Sequence, residues 1–294
     1  MVIISATLAI DVGASKIAGA LFDSKMRILH EVSKSSRNDL YSKADPNLDI
    51  TKSIILELLE IAKENNISVA NGGACFAEYV TPDQYLNSND QIEWKIQPKE
   101  DFSALTGFNW IIESDVRAMA LAEADINRDL NNFIFITVSS GISHAFVIDG
   151  KPWAGATGEA IGFGVNQIDN SQESPTLEQF SSGLGIARRF QRETESEIKS
   201  AINVFEIYEN DLQAQKVVNS AADVLGKSIA TLVDFFDPSE IIIGGGLWLG
   251  SALYRDLVLE SYKRNVTKRR AAPEIKSSNS GKNAALIGAA LAAN

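Results

Sequence analysis

LAIDVGASKIAGALFD, residues Leu8–Asp23, is the stretch from which the rest of this chain is read. Leu8–Val12 is a short apolar run that carries one acid, Asp11. Gly13-Ala14-Ser15-Lys16 is small and polar, which is turn chemistry. Ile17–Phe22 is a second apolar run, closed by Asp23-Ser24. Two strands joined in this way form a hairpin whose turn presents backbone N–H groups beside Ser15 and Lys16. Such a turn suits a phosphate, because N–H dipoles and a cation meet the charge with no bulky side chain in the way. Asp11 stands at its mouth, where a carboxylate holds a magnesium ion through water. An ordinary edge hairpin with a small-residue turn has the same pattern, so the stretch needs support from the rest of the chain.

The chain has 294 residues, enough for one large or two medium domains with their own cores. Its net charge of −11 argues against nonspecific binding to nucleic acid or to an anionic membrane. A single cysteine, Cys75, excludes an intrachain disulfide and a Cys-rich zinc site, and reads as a buried structural thiol. Two histidines, His30 and His144, leave little material for a His-based metal site. Residues 1–10, MVIISATLAI, have no basic residue and run straight into the strand pattern, so they read as strand and not as a signal peptide. No apolar run reaches the length of a membrane span, and a cytoplasmic protein is expected.

Working outward, residues 27–33 read as a third strand and 35–46 as a polar, turn-rich stretch. Apolar residues at 54, 55, 58, 59 and 62 predict a helix over 50–65. A strand follows at 69–76, an irregular loop at 81–94, a short helix at 99–106 and a strand at 109–113. Ser114-Asp115 then caps a helix from 116 to about 127. The second part repeats this order. Strands are expected at 133–139 and 144–148, a Gly-rich loop at 155–164, and helices over 177–195 and most of 204–236. A buried strand at 240–243 enters Gly244-Gly245-Gly246, followed by a helix at 252–267, a strand at 273–277 and a final small-residue helix at 284–293. Two hairpin-plus-helix units in tandem imply an internal duplication.

Three further stretches carry candidate chemistry. Ser139-Ser140-Gly141 again offers N–H groups and hydroxyls beside a strand end. Three glycines after the β-branched run at 241–243 let the backbone approach a flat or bulky ligand. Glu113-Ser114-Asp115 sits at a strand end that opens a helix. An acid there is commonly an N-cap, but Asp115 lies where the two halves meet, the place for a carboxylate that takes a proton from an attacking hydroxyl.

Together these stretches resemble the ROK family of sugar kinases and sugar-responsive repressors, within the actin/hexokinase superfamily. Asp11–Lys16 resembles its first phosphate motif, Ser114–Glu123 the segment with the catalytic aspartate, and Val138–Ser143 the second phosphate motif. Asp149-Gly150 with the loop at 155–164 resembles the sugar-side loop, Asp237–Gly246 the adenosine motif, and Ile287–Ala292 the returning C-terminal helix. The resemblance spans essentially the whole chain. It implies an α/β, actin-like (ribonuclease H-like) fold of two domains, 1–116 plus 283–294 and 117–282, with a cleft between them. It implies an ATP-dependent kinase of a hexose or amino-hexose. Asp115 is then the general base and Asp11 organises Mg2+ through water. Gly13, Ala14, Ser15, Lys16, Ser139, Ser140 and Gly141 hold phosphates, and Gly244, Gly245 and Gly246 face adenosine. Asn89, Asp90, Ser114 and Glu159 are the candidate sugar contacts. A sugar is the expected partner, and the family suggests a homodimer.

The departures from the family pattern are as informative. Residues 166–175 hold no cysteine where the family carries a zinc loop, so no structural zinc is expected. The sugar-side loop reads GATGEAIGFGV and lacks the family's histidine. An ungapped match puts Gly162 at the acid position and Val165 at the histidine position. A one-residue shift keeps Glu159 as the acid with Phe163 for the histidine, and either way apolar surface is expected beside the sugar hydroxyls. Ser114 stands where family kinases commonly have Asn, and Ala77-Glu78 replaces a Pro-Gly turn. The second phosphate motif is rich in serine. These changes keep open a catalytically weak sugar or nucleotide sensor. A repressor is set lower, since the phosphate motif begins within the first dozen residues and leaves no helix-turn-helix ahead of it.

Overall fold

The computed structural model describes residues 4–36, 45–92, 94–171, 173–267 and 271–294. The strand expected from residue 1 therefore lies outside the described residues at 1–3, as does the turn-rich stretch at 37–44. In order, the elements of the first half are β1 (Ile4–Val12), β2 (Lys16–Asp23), β3 (Ile28–Ser35), α1 (Asp49–Glu64), β4 (Ile67–Phe76), α2 (Pro98–Thr106), β5 (Trp110–Ser114) and α3 (Asp115–Ile126). Then come β6 (Phe133–Val138), β7 (Ile142–Ile148), β8 (Lys151–Pro152), α4 (Leu177–Ser181), α5 (Gly183–Thr194), α6 (Ala201–Glu206) and α7 (Leu212–Phe236). The chain closes with β9 (Glu240–Gly244), α8 (Gly246–Gly250), α9 (Ala252–Asn265), β10 (Glu274–Ser277) and α10 (Ala284–Ala293). No helix among the described residues is long and apolar enough to cross a membrane.

The strands form two five-stranded mixed sheets. The first runs β3-β2-β1-β4-β5, with β1 antiparallel to β2 and parallel to β4, and β4 parallel to β5. The second, written in the same sense, runs β8-β7-β6-β9-β10, with β6, β9 and β10 mutually parallel. One topology occurs twice, as the tandem pattern predicts. Contacts divide the chain into two units: Met1–Asn131 with Val147–Ile161 and Ser280–Asn294, and Asn132–Phe146 with Gly162–Asn279.

The first sheet is sided by residue size. Leu8, Ile10 and Val12 of β1 join Ile54, Ile55 and Leu58 of α1 and the ring cluster of Phe76, Phe102 and Trp110. Successive strand residues face opposite ways, so Ala9, with Ala18, Ala20 and Cys75, faces α3 and α10 through Ala118, Leu286, Ala289 and Ala290. Small residues let these helices come close. A carbon added to Gly73 would lie 1.9 Å from the Ala289 carbonyl oxygen, and one added to Gly288 would lie 1.7 Å from that of Ala118.

The second unit packs α7 and α9 against β6 and β9 around Ile134, Ile136, Val218, Leu225, Ile241, Ile243, Tyr254 and Val258. Here the structure breaks two helices that periodicity drew as one. Ser182 is extended (φ −76, ψ 170), ends α4 and caps α5 through its hydroxyl to the Gly185 N–H. Likewise, Asp211 caps α7 and separates it from α6. A polar residue that can serve as N-cap competes with helix continuation.

Gly288→Ala is expected to lower the urea midpoint, with a loss of at least ~2 kcal/mol, because the added methyl meets backbone and not a movable side chain. Gly250→Ala, whose added carbon meets nothing within 4 Å, is the control and leaves the midpoint unchanged or slightly raised. Equal behaviour of the two variants would contradict the close approach of α10 and α3.

Candidate active site

The parallel strands β1, β4 and β5 all end on one edge of the first sheet, the edge at which α/β sheets bind ligands. Their register aligns Asp11 with Cys75 and Cys75 with Glu113. Alternation puts Asp11 on the same face as Ala9, toward α3. The Cys75 thiol donates to the Asp11 carboxylate at 3.7 Å and to the Ala285 carbonyl at 3.5 Å. Asp115 follows β5 directly as the first residue of α3. The cap is its neighbour: Ser114 is fully buried, and its hydroxyl accepts from the Arg117 N–H at 3.4 Å. The Asp115 carboxylate is thus left off the cap and accepts a local bond, from the Val116 N–H at 2.6 Å.

Burial dominates the electrostatics. Desolvation, then the negative charge of Asp11, raises the Asp115 pKa from its ordinary 3.8 to about 7, with Glu78 adding and the Val116 N–H and Arg117 opposing. Desolvation also raises Asp11 to about 6, against the Cys75 hydrogen bond and Lys16. Burial, with Asp11 and Asp115 next, pushes the Cys75 thiol well up, so it is an inert, protonated thiol, in line with its reading as structural. Asp11 and Asp115 are half-buried at the sheet edge, whereas Arg117 is fully buried. It donates to Glu113 at 2.5 Å, to the Gly158 carbonyl at 3.0 Å and to the Val80 carbonyl at 2.6 Å.

The first turn is a closed hairpin. The Gly13 N–H donates to the Lys16 carbonyl at 3.0 Å, while Ser15 and Lys16 are exposed. Asn89, Asp90 and Glu159 are exposed in the same unit, and Asn87 donates to Glu159 at 3.4 Å. Sequence reasoning missed Asn87, Arg117 and Glu78. The Ala77-Glu78 departure was the available signal for Glu78.

In the second unit, Ser139–Gly141 and Gly244–Gly246 come together because β6 and β9 are parallel neighbours that end side by side. Gly245 has φ +94, and a carbon added there would lie 2.4 Å from the Val138 carbonyl oxygen. Only glycine fits this crossing. Gly246 opens α8 and borders a cavity of about 260 Å³ with Leu247, Ile202, Phe205 and Ser251. The serine-rich turn is partly spent within the protein. The Ser139 N–H donates to the Gly141 carbonyl at 2.8 Å, and the Ile142 N–H donates to Glu178 at 2.8 Å. The break at Ser182 lets the Gly183 N–H reach the Ser139 carbonyl at 2.8 Å. Phe163, expected as apolar surface beside sugar hydroxyls, turns into the core of this unit. There its N–H donates to His144 Nδ1 at 3.3 Å and its ring meets the imidazole edge-on.

Among the described residues, no group of three or more His, Cys, Asp or Glu side chains is arranged to hold a metal ion. Magnesium needs less from a protein, since it keeps waters and takes one or two carboxylates plus substrate phosphates. The donor set around Asp11 fits that requirement.

The duplicated sheets, with carboxylates at the parallel strand ends of the first, define an α/β protein with the actin/hexokinase-like sugar-kinase fold. A model of the ROK family matches residues 7–294, and the chain belongs to that family. The ROK hexokinase of Thermus thermophilus is similar in structure, with a TM-score of 0.83 at 23% identity over 98% of this chain and 97% of the other. A ROK family glucokinase from Streptomyces griseus, in complex with glucose and AMPPNP, gives 0.78 at 22% identity over 98% and 99%. The N-acetylmannosamine kinase of Salmonella paratyphi A is 26% identical over 252 residues, 83% of this chain and 84% of that protein.

Asp115 is held against its own ionisation, which yields a stability prediction. The folded state keeps this proton up to about pH 7, whereas the unfolded chain releases it near 3.8. Stability is therefore lost as pH rises through that window. The full window would be worth about 4 kcal/mol, but a half-buried carboxyl keeps part of its hydration. Asp115→Asn should therefore raise Tm at pH 8 by at least about 2–4 °C, the shift for ~1 kcal/mol in a chain of this size. The gain should vanish toward pH 4. A Tm difference that does not change with pH would mean the carboxylate is well solvated.

Proposed function

We propose that this chain is an ATP-dependent kinase that phosphorylates a hydroxyl of a hexose or amino-hexose. The observation that carries the reading is Asp115: a desolvated carboxylate with pKa about 7, opening a helix at the ligand-binding edge of a parallel sheet, beside a second acid, Asp11. A general base works best with a pKa near the operating pH. Membership of the ROK family and likeness to an N-acetylmannosamine kinase and a glucokinase support the same chemistry.

In this reading Asp115 accepts the proton of the acceptor hydroxyl as that oxygen attacks in line, and orients it beforehand. Mg-ATP, when bound, supplies the transferable phosphoryl group. Asp11 holds the magnesium waters. Gly13–Lys16 and Ser139–Gly141 hold phosphates, with Lys16 supplying positive charge. Gly244–Gly246 leave room for adenosine, and the cavity beside Gly246 has the size for part of a nucleoside. Asn89, Asp90 and Glu159 bind acceptor hydroxyls. The Ser114 hydroxyl serves by capping the helix that carries the base.

One observation favours a second reading, a weak or inactive sensor of sugar or nucleotide: the N–H groups of Ser139 and Ile142 already have partners inside the protein. ADP release with a panel of sugars separates the two. The kinase reading expects turnover, and a sensor binds without it.

Asp115→Asn should keep nucleotide affinity and lose about 10²–10⁴-fold in kcat, the usual worth of general-base assistance. Wild-type kcat/KM should rise with pH through about 7, because only the ionised Asp115 accepts a proton. A variant within a few-fold of wild type, or a profile flat from pH 5 to 9, would remove Asp115 from this role.

The acceptor preference follows from the missing histidine in the loop at 155–165. A site with fewer polar partners discriminates weakly against a lost hydroxyl. N-acetylated or deoxy hexoses should match or exceed glucose in kcat/KM. Glucose preferred by more than about tenfold, near 1.4 kcal/mol in transition-state binding, would mean that the pocket is polar after all.

A further inference from the structure

Glu78 follows β4 by two residues, in the place where a Pro-Gly turn was expected. It is 4% exposed, and among the described residues its carboxylate bonds to one short loop. One oxygen accepts from the Ser88 hydroxyl and from the Asp90 N–H at 3.0 Å. The other accepts from the Gln91 N–H at 2.6 Å and the Ile92 N–H at 2.7 Å. Three consecutive backbone N–H groups converging on one anion form a nest. Here the anion is supplied by the chain itself. Ser88 extends the clamp, since its hydroxyl accepts from the Tyr79 N–H at 2.9 Å and its carbonyl from the Trp94 indole at 2.8 Å. The loop is pinned at its start as well: Gln97 donates to the Leu86 carbonyl and accepts from the Leu86 N–H.

The side chains that this backbone carries point elsewhere. Asn87, Asn89 and Asp90 are exposed, and Asn87 bridges to Glu159. The loop thus has a rigid, internally charged inside and a polar outside suited to hydroxyl groups. A buried anion is costly to desolvate, and here four hydrogen bonds are committed to offsetting that cost. A loop that must hold polar side chains in register gains a backbone that cannot shift, because charge-assisted bonds are short and directional.

We propose that Glu78 is a positioning residue for the acceptor: it folds the Ser88–Ile92 backbone around its carboxylate and so sets where Asn89 and Asp90 meet the substrate. The inference rests on the reading of Asn89 and Asp90 as acceptor contacts. Glu78 itself touches no substrate and takes no part in proton transfer. Its contribution is to acceptor recognition, through geometry.

The test uses the full-length protein, with ADP release measured on N-acetylmannosamine, N-acetylglucosamine, glucose and 2-deoxyglucose. In Glu78→Gln an amide N–H faces the Asp90 N–H, donor against donor, so one arm of the nest is lost. The acceptor KM should rise about tenfold or more while the KM for ATP stays within about twofold. Ser88→Ala removes only the hydroxyl arm and should shift acceptor KM in the same direction by a few-fold. It also serves if Glu78→Gln fails to fold. Glu78→Ala leaves an empty nest, which formate or acetate should refill, lowering the acceptor KM again, whereas chloride at equal ionic strength should not. Hydrogen exchange at the Asp90, Gln91 and Ile92 amides should speed up in Glu78→Ala and slow on adding formate. If Asn89→Ala and Asp90→Ala raise acceptor KM but the Glu78 and Ser88 variants do not, the positioning role is overturned and the acceptor reading stands. If Asn89→Ala and Asp90→Ala leave acceptor KM unchanged, the acceptor lies elsewhere and both fall. No turnover and no binding of any panel sugar by the wild type would likewise overturn both.

Discussion

The size difference between the two faces of β1 is the constraint on which the first unit depends. Large residues at 8, 10 and 12 need a deep layer, and α1 with the ring cluster supplies it. The opposite face is mostly small, with Ala9 of β1, Ala18 and Ala20 of β2, and Gly73 and Cys75 of β4, so α3 and α10 settle almost onto the sheet backbone. Asp11 falls on that shallow face by simple alternation. The same shallowness brings the start of α3, and with it Asp115, into the electrostatic range of Asp11 and Cys75. Filling the face with leucines would give a larger core and push α3 away.

That closeness has an electrostatic consequence. Two half-buried carboxylates lie beside a fully buried thiol, and both acids are pushed toward neutrality. Arg117 is the buried cation nearby, yet its bonds go to Glu113 and to the carbonyls of Val80 and Gly158. It therefore fixes loops more than it neutralises Asp115. Glu78 does the complementary work with an anion. Two buried charges of opposite sign hold the polar loops of this unit. The site is stabilised by hydrogen bonds around charges and not by apolar burial, which is why single conservative changes such as Glu to Gln are informative there.

The second unit uses the same sheet topology for another purpose. Its parallel strand ends carry no acids. They carry the serine turn at 139–141 and the crossing of Gly245 over Val138. The apolar cavity beside Gly246 follows from that crossing, because α8 starts at once and leaves no room for a longer connection. Duplication thus supplied one scaffold, and the residues at the strand ends divided the chemistry.

Much of this was legible in the sequence. The hairpin at 8–23, the helix start at Ser114-Asp115, the duplicated order and the glycine run are local signals, set by turn chemistry, capping and alternation, and each appears where periodicity put it. The helix breaks at Ser182 and at 207–211 were not legible, since a capping serine or aspartate inside an amphipathic stretch looks like one more polar residue. Nor did the sequence show which of Ser114 and Asp115 spends its side chain on the cap, a choice made when Asp11 and Cys75 arrive beneath α3. The burial of Glu78 and Arg117 was not legible, because their partners lie 10 to 14 and up to 41 positions away. Phe163 and His144 likewise meet only through folding. Composition and spacing determine which elements form and in what order. The proton affinity of Asp115 and the closure of the 88–92 backbone on Glu78 depend on desolvation and on partners distant in the chain, and only the tertiary structure decides those.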